Sequence, residues 1–261
     1  MSLRERPTNE KVLLERHAGP DALAKAAAKH WLDRLAASPV ARERWGVGLS
    51  GGRIAARLFD SAVSQARQQR IPWDKVEFFF ADDRWVPLDH AESNFRLAQE
   101  HLFVPLRISG KSVHPLYLGN SPAFDAAQAQ AELLHRVPID AAGHPILDLV
   151  ILGMGEDGHV ASLFPNAPAE VVESRAVYLP VVAPKPPPCR VTLTYAALAA
   201  AREVLVVVYG AGKEPALSQS LSQSVHTPLG RLIGLRERTV VLAVSPHISQ
   251  PVVAEGAHQR A

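Results

Sequence analysis

Four short segments of the 261-residue chain carry residue types and spacings able to do chemistry. The sharpest is Asp148-Leu149-Val150-Ile151-Leu152-Gly153-Met154-Gly155-Glu156-Asp157-Gly158-His159. An apolar run ends there in a glycine-rich turn that presents an acid, Asp157, and a histidine, His159. Imidazole titrates near neutral pH, which suits a general base. With eleven histidines in the chain, any one of them is as easily a surface or structural group. Its place at the tip of a glycine turn after an apolar run favours a functional role for His159. Gly153, Gly155 and Gly158 also spell Gly-x-Gly-x-x-Gly, the dinucleotide fingerprint. That fingerprint needs a full helix after the turn and an acid closing the next strand. Pro165 and Pro168 cut short any helix after His159, and the next strand-like segment, residues 176–182, ends in Ala183-Pro184-Lys185 with no acid. The dinucleotide reading fails.

The other three segments are individually weaker. Leu49-Ser50-Gly51-Gly52 runs straight into a helical pattern. Paired glycines let backbone N–H groups approach an anion and the helix N-terminus adds its dipole, although a plain tight turn has the same spelling. Phe80-Ala81-Asp82-Asp83-Arg84-Trp85-Val86-Pro87 sets two carboxylates beside an arginine. Asp82 and Arg84 could serve a substrate, or the cluster could be a structural ion pair. In Pro184-Lys185-Pro186-Pro187-Pro188-Cys189-Arg190-Val191-Thr192-Leu193-Thr194, the proline run fixes an extended approach and puts Arg190 at a strand start. Lys213 follows Gly210-Ala211-Gly212 after another apolar run. These two cations are either solvated charges or the complement of a glycine anion turn in a phosphate site.

The elements that must position these groups alternate along the chain. Residues 20–37 and 52–70 read as helices, as do 93–102, with Ser93 or Asn94 as cap, and 124–136. Residues 45–49, 76–80, 147–152, 204–209 and 240–244 read as strands, several of them apolar throughout and rich in β-branched residues. Strands separated by helices predict an α/β fold with a mostly parallel sheet covered by helices on both faces, Rossmann-like in layout. Ligands in such folds bind at the carboxyl ends of the strands, where all four segments fall. No internal repeat or long linker divides the chain, so residues 1–261 read as one domain.

Composition removes several function classes. With 47% hydrophobic and 21% charged residues the chain is a folded globular protein. Its 28 Lys and Arg against 26 Asp and Glu are scattered, without the basic stripe of a nucleic-acid binder. The single cysteine, Cys189, forms no intrachain disulfide and no cysteine zinc cluster, which fits a cytoplasmic location. Residues 1–11 lack the apolar core of a secretory signal, and no apolar run approaches the ~20 residues of a membrane helix. No metal is implied and no membrane partner is expected; a monomer is favoured.

Taken together the segments resemble the 6-phosphogluconolactonase family and, more distantly, glucosamine-6-phosphate deaminase. The family pattern is Ser-Gly-Gly, Asp-Glu-Arg-x-Val-Pro with Ser-Asn-Tyr after it, Gly-Met-Gly-x-Asp-Gly-His-Thr-Ala-Ser-Leu-Phe-Pro, Pro-Lys-Pro-Pro-x-Arg-Ile-Thr-Leu-Thr and Gly-x-x-Lys. The matches occur in order over roughly two thirds of the chain, from Ser50 to Lys213, with Ser93-Asn94-Phe95 in the second place. The resemblance implies the fold of the glucosamine-6-phosphate deaminase superfamily and hydrolysis of a phosphorylated sugar lactone in the oxidative pentose phosphate pathway. Ser50, Gly51 and Gly52 would cradle the phosphate with Arg190 and Lys213 as cationic partners. His159 would activate water, Arg84 would offset charge on the carbonyl oxygen, and Asp82 and Asp157 would complete the pocket. An ester carbonyl needs only activated water and charge stabilisation, so no cofactor is expected.

Three departures stand out. Ile54-Ala55 replaces the family's Thr-Pro, removing a phosphate-facing hydroxyl; Asp83 replaces a Glu; Val160 replaces a Thr. The deaminases continue Asp-Gly-His-Ile-Ala-Phe-Asn-Glu-Pro, whereas this chain has Phe164 before Pro165 and no Glu there. A non-catalytic sugar-phosphate binder on the same fold is the other alternative, suggested by Ile54.

Overall fold

Apolar runs without polar alternation are stable as strands only where both sheet faces are covered, and that condition organises the molecule. The computed structural model describes residues 3–5, 10–37, 44–222 and 226–245. In chain order the elements are β1 (Leu3–Glu5), β2 (Val12–His17), α1 (Pro20–Ala36), β3 (Trp45–Leu49), α2 (Ala55–Ala66), β4 (Val76–Phe80) and β5 (Asp82–Arg84). There follow α3 (Asn94–Ala98), α4 (Val104–Leu106), α5 (Pro122–Arg136), β6 (Leu149–Gly153), α6 (Ala169–Val172), β7 (Tyr178–Val182) and β8 (Cys189–Leu193). The chain continues through α7 (Tyr195–Ala200), β9 (Val204–Val208), α8 (Glu214–Leu221), α9 (Pro228–Gly234) and β10 (Thr239–Val244).

The main sheet has the order β1-β2-β10-β9-β6-β3-β4, parallel except for β1 on its edge. Every residue of β3, β4 and β9 is buried, so helices cover both faces as expected. From β3 the chain steps outward to β4, returns to the other side of β3 as β6, and proceeds through β9 to β10. The winding therefore reverses between β3 and β6, whose carboxyl ends open the crevice in which folds of this kind bind ligands. A Cβ placed on Gly153, at the end of β6, would lie 3.3 Å from the carbonyl oxygen of Gly51, just past β3. The two most informative loops of the sequence meet there.

A second, antiparallel sheet of order β5-β8-β7 hangs beside β4 and was not foreseen. The chain leaves β4 at Ala81, whose carbonyl accepts from the amide of Leu193 in β8 (2.7 Å), and the Tyr178 hydroxyl donates to the Phe80 carbonyl (2.8 Å). One apolar cluster, including Trp31, Phe59, Phe78, Leu193 and Val206, joins both sheets and the helices.

Several boundaries differ from expectation. The helix expected over 52–70 starts only at Ala55, because Gly52 adopts φ +111° and the chain turns before it coils. The helix expected over 93–102 is capped by Ser93, which accepts from the Arg96 amide. It runs as α3, then widens into a π-turn over Gln99–Phe103. Pro105 explains the widening, since it has no N–H to return to the carbonyl four residues back. The helix expected from 124 begins at Pro122 with Ser121 as its cap. Strand β2 was missed because Glu15 and Arg16 interrupt its pattern. Of the segment read for a secretory signal, residues 1–2 and 6–9 lie outside the described residues. Among the described residues no helix is long and apolar enough to cross a membrane.

Candidate active site

The exits of β3, β6 and β9 face the inner edge of the antiparallel sheet across a cavity of about 90 Å³. Its walls include Ser50, Gly51, Gly52, Asp82, Arg84, His159, Arg190 and Lys213. The structure thus gathers into one pocket residues from all four segments. Arg53, Ile54, Asn94, Gly153, Met154, Ala161 and Val207 complete the wall, and no role followed from the sequence for Arg53, Met154, Ala161 or Val207. Asp157 stands behind His159 rather than in the wall.

His159 is held by its own loop. The turn closes when the Gly155 amide donates to the His159 carbonyl (2.8 Å) and the His159 amide donates to Asp157 Oδ1 (3.2 Å). Asp157 Oδ1 also lies 2.5 Å from His159 Nδ1. A Cβ on Gly155 would stand 2.0 Å from that nitrogen, so only glycine leaves room for the ring. With the tautomer that donates Nδ1–H to Asp157, Nε2 keeps its lone pair. Burial holds the His159 pKa below its usual value, against the raising effect of Asp157. Burial opposes ionisation of Asp157 in turn, but the histidine and its hydrogen bonds together keep that carboxyl below the ordinary range. The ring is therefore neutral at pH 7, the state a base needs. Phe164 packs at its side, ring centroids 4.8 Å apart.

The paired carboxylates divide their work, because neighbours in a strand point to opposite faces. Asp82, buried in the pocket floor, accepts from the Ser50 hydroxyl (2.7 Å) and from the Ser162 hydroxyl (2.7 Å). Asp83 turns away. It accepts from the amides of Arg84 (2.8 Å), Asn94 (2.7 Å) and Phe95 (3.0 Å) and from the Ser93 hydroxyl (3.2 Å), anchoring α3. Burial raises its pKa to about 6 although those backbone hydrogen bonds pull the other way. Asp82 and Arg84 do not orient one another: Arg84 Nη1 donates to the Glu92 carbonyl (2.5 Å) and to Asn94 Oδ1 (3.4 Å). Asn94 is the buried wedge here, its Nδ2 donating to the Asp82 carbonyl (2.8 Å). A Cβ on Gly51 would meet its Oδ1 at 2.0 Å. The sequence marked Asn94 as a possible cap; only the tertiary approach of the Ser-Gly-Gly loop reveals its second use.

The cations fall into two groups. Arg84 and Arg190 stand directly opposite in the β5–β8 pairing and so share a face. The Arg190 guanidinium carbon lies 5.6 Å from the Phe164 ring centre, and its Nε donates to the Pro187 carbonyl (3.1 Å). Burial and the charge of Arg84 lower its pKa. Lys213 comes from the β9 exit, where burial, then Arg53, bring its pKa down to about 8. Arg84, Arg190 and Lys213 line one cavity with the buried carboxylate of Asp82, a setting for a compact dianion. Among the described residues no group of three His, Cys, Asp or Glu side chains is arranged to hold a metal ion.

Known proteins resemble the chain in sequence and in fold. The family described as glucosamine-6-phosphate isomerases/6-phosphogluconolactonase matches residues 18–241. The chain is similar to the 6-phosphogluconolactonase of Mycobacterium tuberculosis, 35% identical over 230 residues that cover 85% of this chain and 91% of that protein. It is 39% identical to the human 6-phosphogluconolactonase over 193 residues, covering 72% and 73% of the two chains. Among solved structures, the 6-phosphogluconolactonase from Trypanosoma brucei superposes with a TM-score of 0.76 at 26% identity, covering 93% of this chain and 97% of that one. The 6-phosphogluconolactonase from Shewanella baltica gives 0.75 at 27% identity, covering 92% and 100%.

Proposed function

This chain belongs to the glucosamine-6-phosphate isomerase/6-phosphogluconolactonase family, and from that premise we propose that it hydrolyses 6-phospho-D-glucono-1,5-lactone to 6-phospho-D-gluconate with His159 as general base. The observation that carries the reading is His159, backed by Asp157, in the wall of a cationic pocket. The Gly51 and Gly52 amides, Lys213 and Arg190 hold the phosphate. Ser50 steadies the loop through Asp82, since its hydroxyl proton is already given to that carboxylate.

His159 Nε2 takes a proton from water as the water oxygen bonds to the lactone carbonyl carbon. Arg84 meets the charge that develops on the carbonyl oxygen. Asp157 stabilises the imidazolium that results. Collapse of the tetrahedral intermediate breaks the bond from that carbon to the ring oxygen, which takes the proton back from His159. The products are a free hydroxyl and a carboxylic acid that gives its remaining proton to solvent, with one water consumed and the base restored.

The isomerase branch of the family is disfavoured by one contact. Where its pattern has a glutamate, Phe164 here lays an apolar ring beside His159. The decisive experiment generates the lactone in situ and follows its loss by NMR in buffer, with wild type and with His159→Ala. Acceleration above buffer that falls by about 10²–10⁴ in the variant supports the reading. A folded wild type that never outpaces buffer would reduce the protein to a sugar-phosphate binder.

A further inference from the structure

Arg53 and Glu156 have no part in the mechanism above, yet both stand at its phosphate side. Arg53 follows Gly52, lines the cavity and pairs through Nη2 with Glu156 Oε1 at 3.1 Å. Glu156 precedes Asp157 in the loop that carries the base. Two positions on the β9 exit fix where the pair lies. A Cβ on Gly210 would be 3.0 Å from Arg53 Nη1, and one on Gly212 would be 3.5 Å from the Glu156 carboxylate. Lys213 comes next in the chain. The pair therefore sits where the β3, β6 and β9 exits converge, beside a cation already assigned to phosphate.

The two side chains are 62% and 55% exposed, so each is free to exchange partners and their contact adds little to stability. Phosphate competes well for such an arginine, because the guanidinium fork matches its oxygens bidentately. The loop also has a vacancy for a donor. Ile54 brings no hydroxyl, and it is buried in the pocket wall.

We infer that Arg53 is a further phosphate-binding residue, and that Glu156 is the internal anion it exchanges for the substrate's phosphate. The inference rests on the reading of the site as a sugar-phosphate pocket. Glu156 then competes with substrate, and the phosphate releases the base loop from its tie to the β3 exit as it binds.

The test is calorimetric binding of 6-phosphogluconate, with gluconate as the phosphate-free probe, together with KM and kcat for the lactone. The proteins are wild type, Arg53→Ala, Glu156→Gln, the double variant and Arg57→Ala. Arg57 lies outside the pocket, paired with Asp21, and controls for a general loss of charge. Arg53→Ala should weaken 6-phosphogluconate about five- to tenfold and raise KM more than it lowers kcat. Glu156→Gln should tighten binding about two- to threefold, and that gain should vanish in the double variant. Unchanged binding in Arg53→Ala, an equal loss in Arg57→Ala, or a Glu156→Gln gain that survives without Arg53 would each overturn the inference. Wild type that turns over normally in those cases leaves the reading of the site intact; wild type that binds no 6-phosphogluconate sinks both.

Discussion

Lys213 gives the sharpest quantitative test of the phosphate assignment. Burial and the neighbouring Arg53 bring its pKa to about 8 in the free protein. A depressed lysine is charged below its folded pKa and loses its proton above it. About nine in ten molecules carry the charge at pH 7 and about one in ten at pH 9. A hydrogen bond from a cation to phosphate is worth about 1.5–3 kcal/mol, or about ten- to 150-fold in affinity. Since kcat/KM reports ionisations of the free enzyme, it should fall about tenfold between pH 7 and pH 9. The bound phosphate holds the proton on, so kcat should fall far less over the same range. Lys213→Arg keeps its charge and should abolish the alkaline fall, whereas Lys213→Met should already show a low, flat profile at pH 7. Initial rates on lactone made in situ, corrected for spontaneous hydrolysis at each pH, measure all three. A wild-type kcat/KM that stays level to pH 9, or a Lys213→Arg profile with the same fall, would refute the argument. The acid limb belongs to His159, whose pKa lies below the usual 6.5, overlapped by the phosphate's own ionisation near pH ~6.

Three other outcomes follow from the same geometry. Arg190→Ala should raise KM by about tenfold or more while saturating turnover changes less; steady-state kinetics showing equal losses would move Arg190 to the reacting carbonyl. Gly155→Ala drives a methyl into the His159 ring, so kcat should fall by at least about tenfold while 6-phosphogluconate affinity, read by calorimetry, is largely kept. Asp83 is held at about 6 in the folded protein against 3.8 for the free group. Between those values the folded state binds the extra proton, so this group's contribution is fullest below the lower value. It is lost as pH rises through about 6, by up to about 3 kcal/mol. Asp125 and Asp157, with depressed values, act in the opposite sense, so denaturation of wild type and Asp83→Asn must be compared at each pH. A difference between the two that does not vary from pH 4 to 7 would contradict this.

Local chemistry made part of the design legible from the chain alone. Strand β6 and its glycine turn announce themselves because a buried parallel strand is uniformly apolar and the turn needs residues without side chains. His159 and Asp157 are two positions apart, so their pairing is a short-range matter. Asp82 was legible as an acid but not in its duties, since its partners Ser50 and Ser162 come from 32 and 80 positions away. Asn94 and Arg53 escaped for the same reason. One looks like a helix cap and the other like a surface charge until the β3 exit is folded against them. The antiparallel sheet was hidden because β5 has three residues, too few to show an alternation.

The pairing of β5 with β8 bears on how the protein reaches its active form. Helices such as α1 and α5 draw on contacts close in sequence, and isolated helical peptides of that size form within about a microsecond. Asp82 and Arg84 reach Thr192 and Arg190 only after the intervening chain has been wound through β6 and β7. Closing so long a loop costs chain entropy before any contact compensates for it. The pocket is therefore among the last regions to assemble, and a refolding population regains its helical signal before it can process substrate.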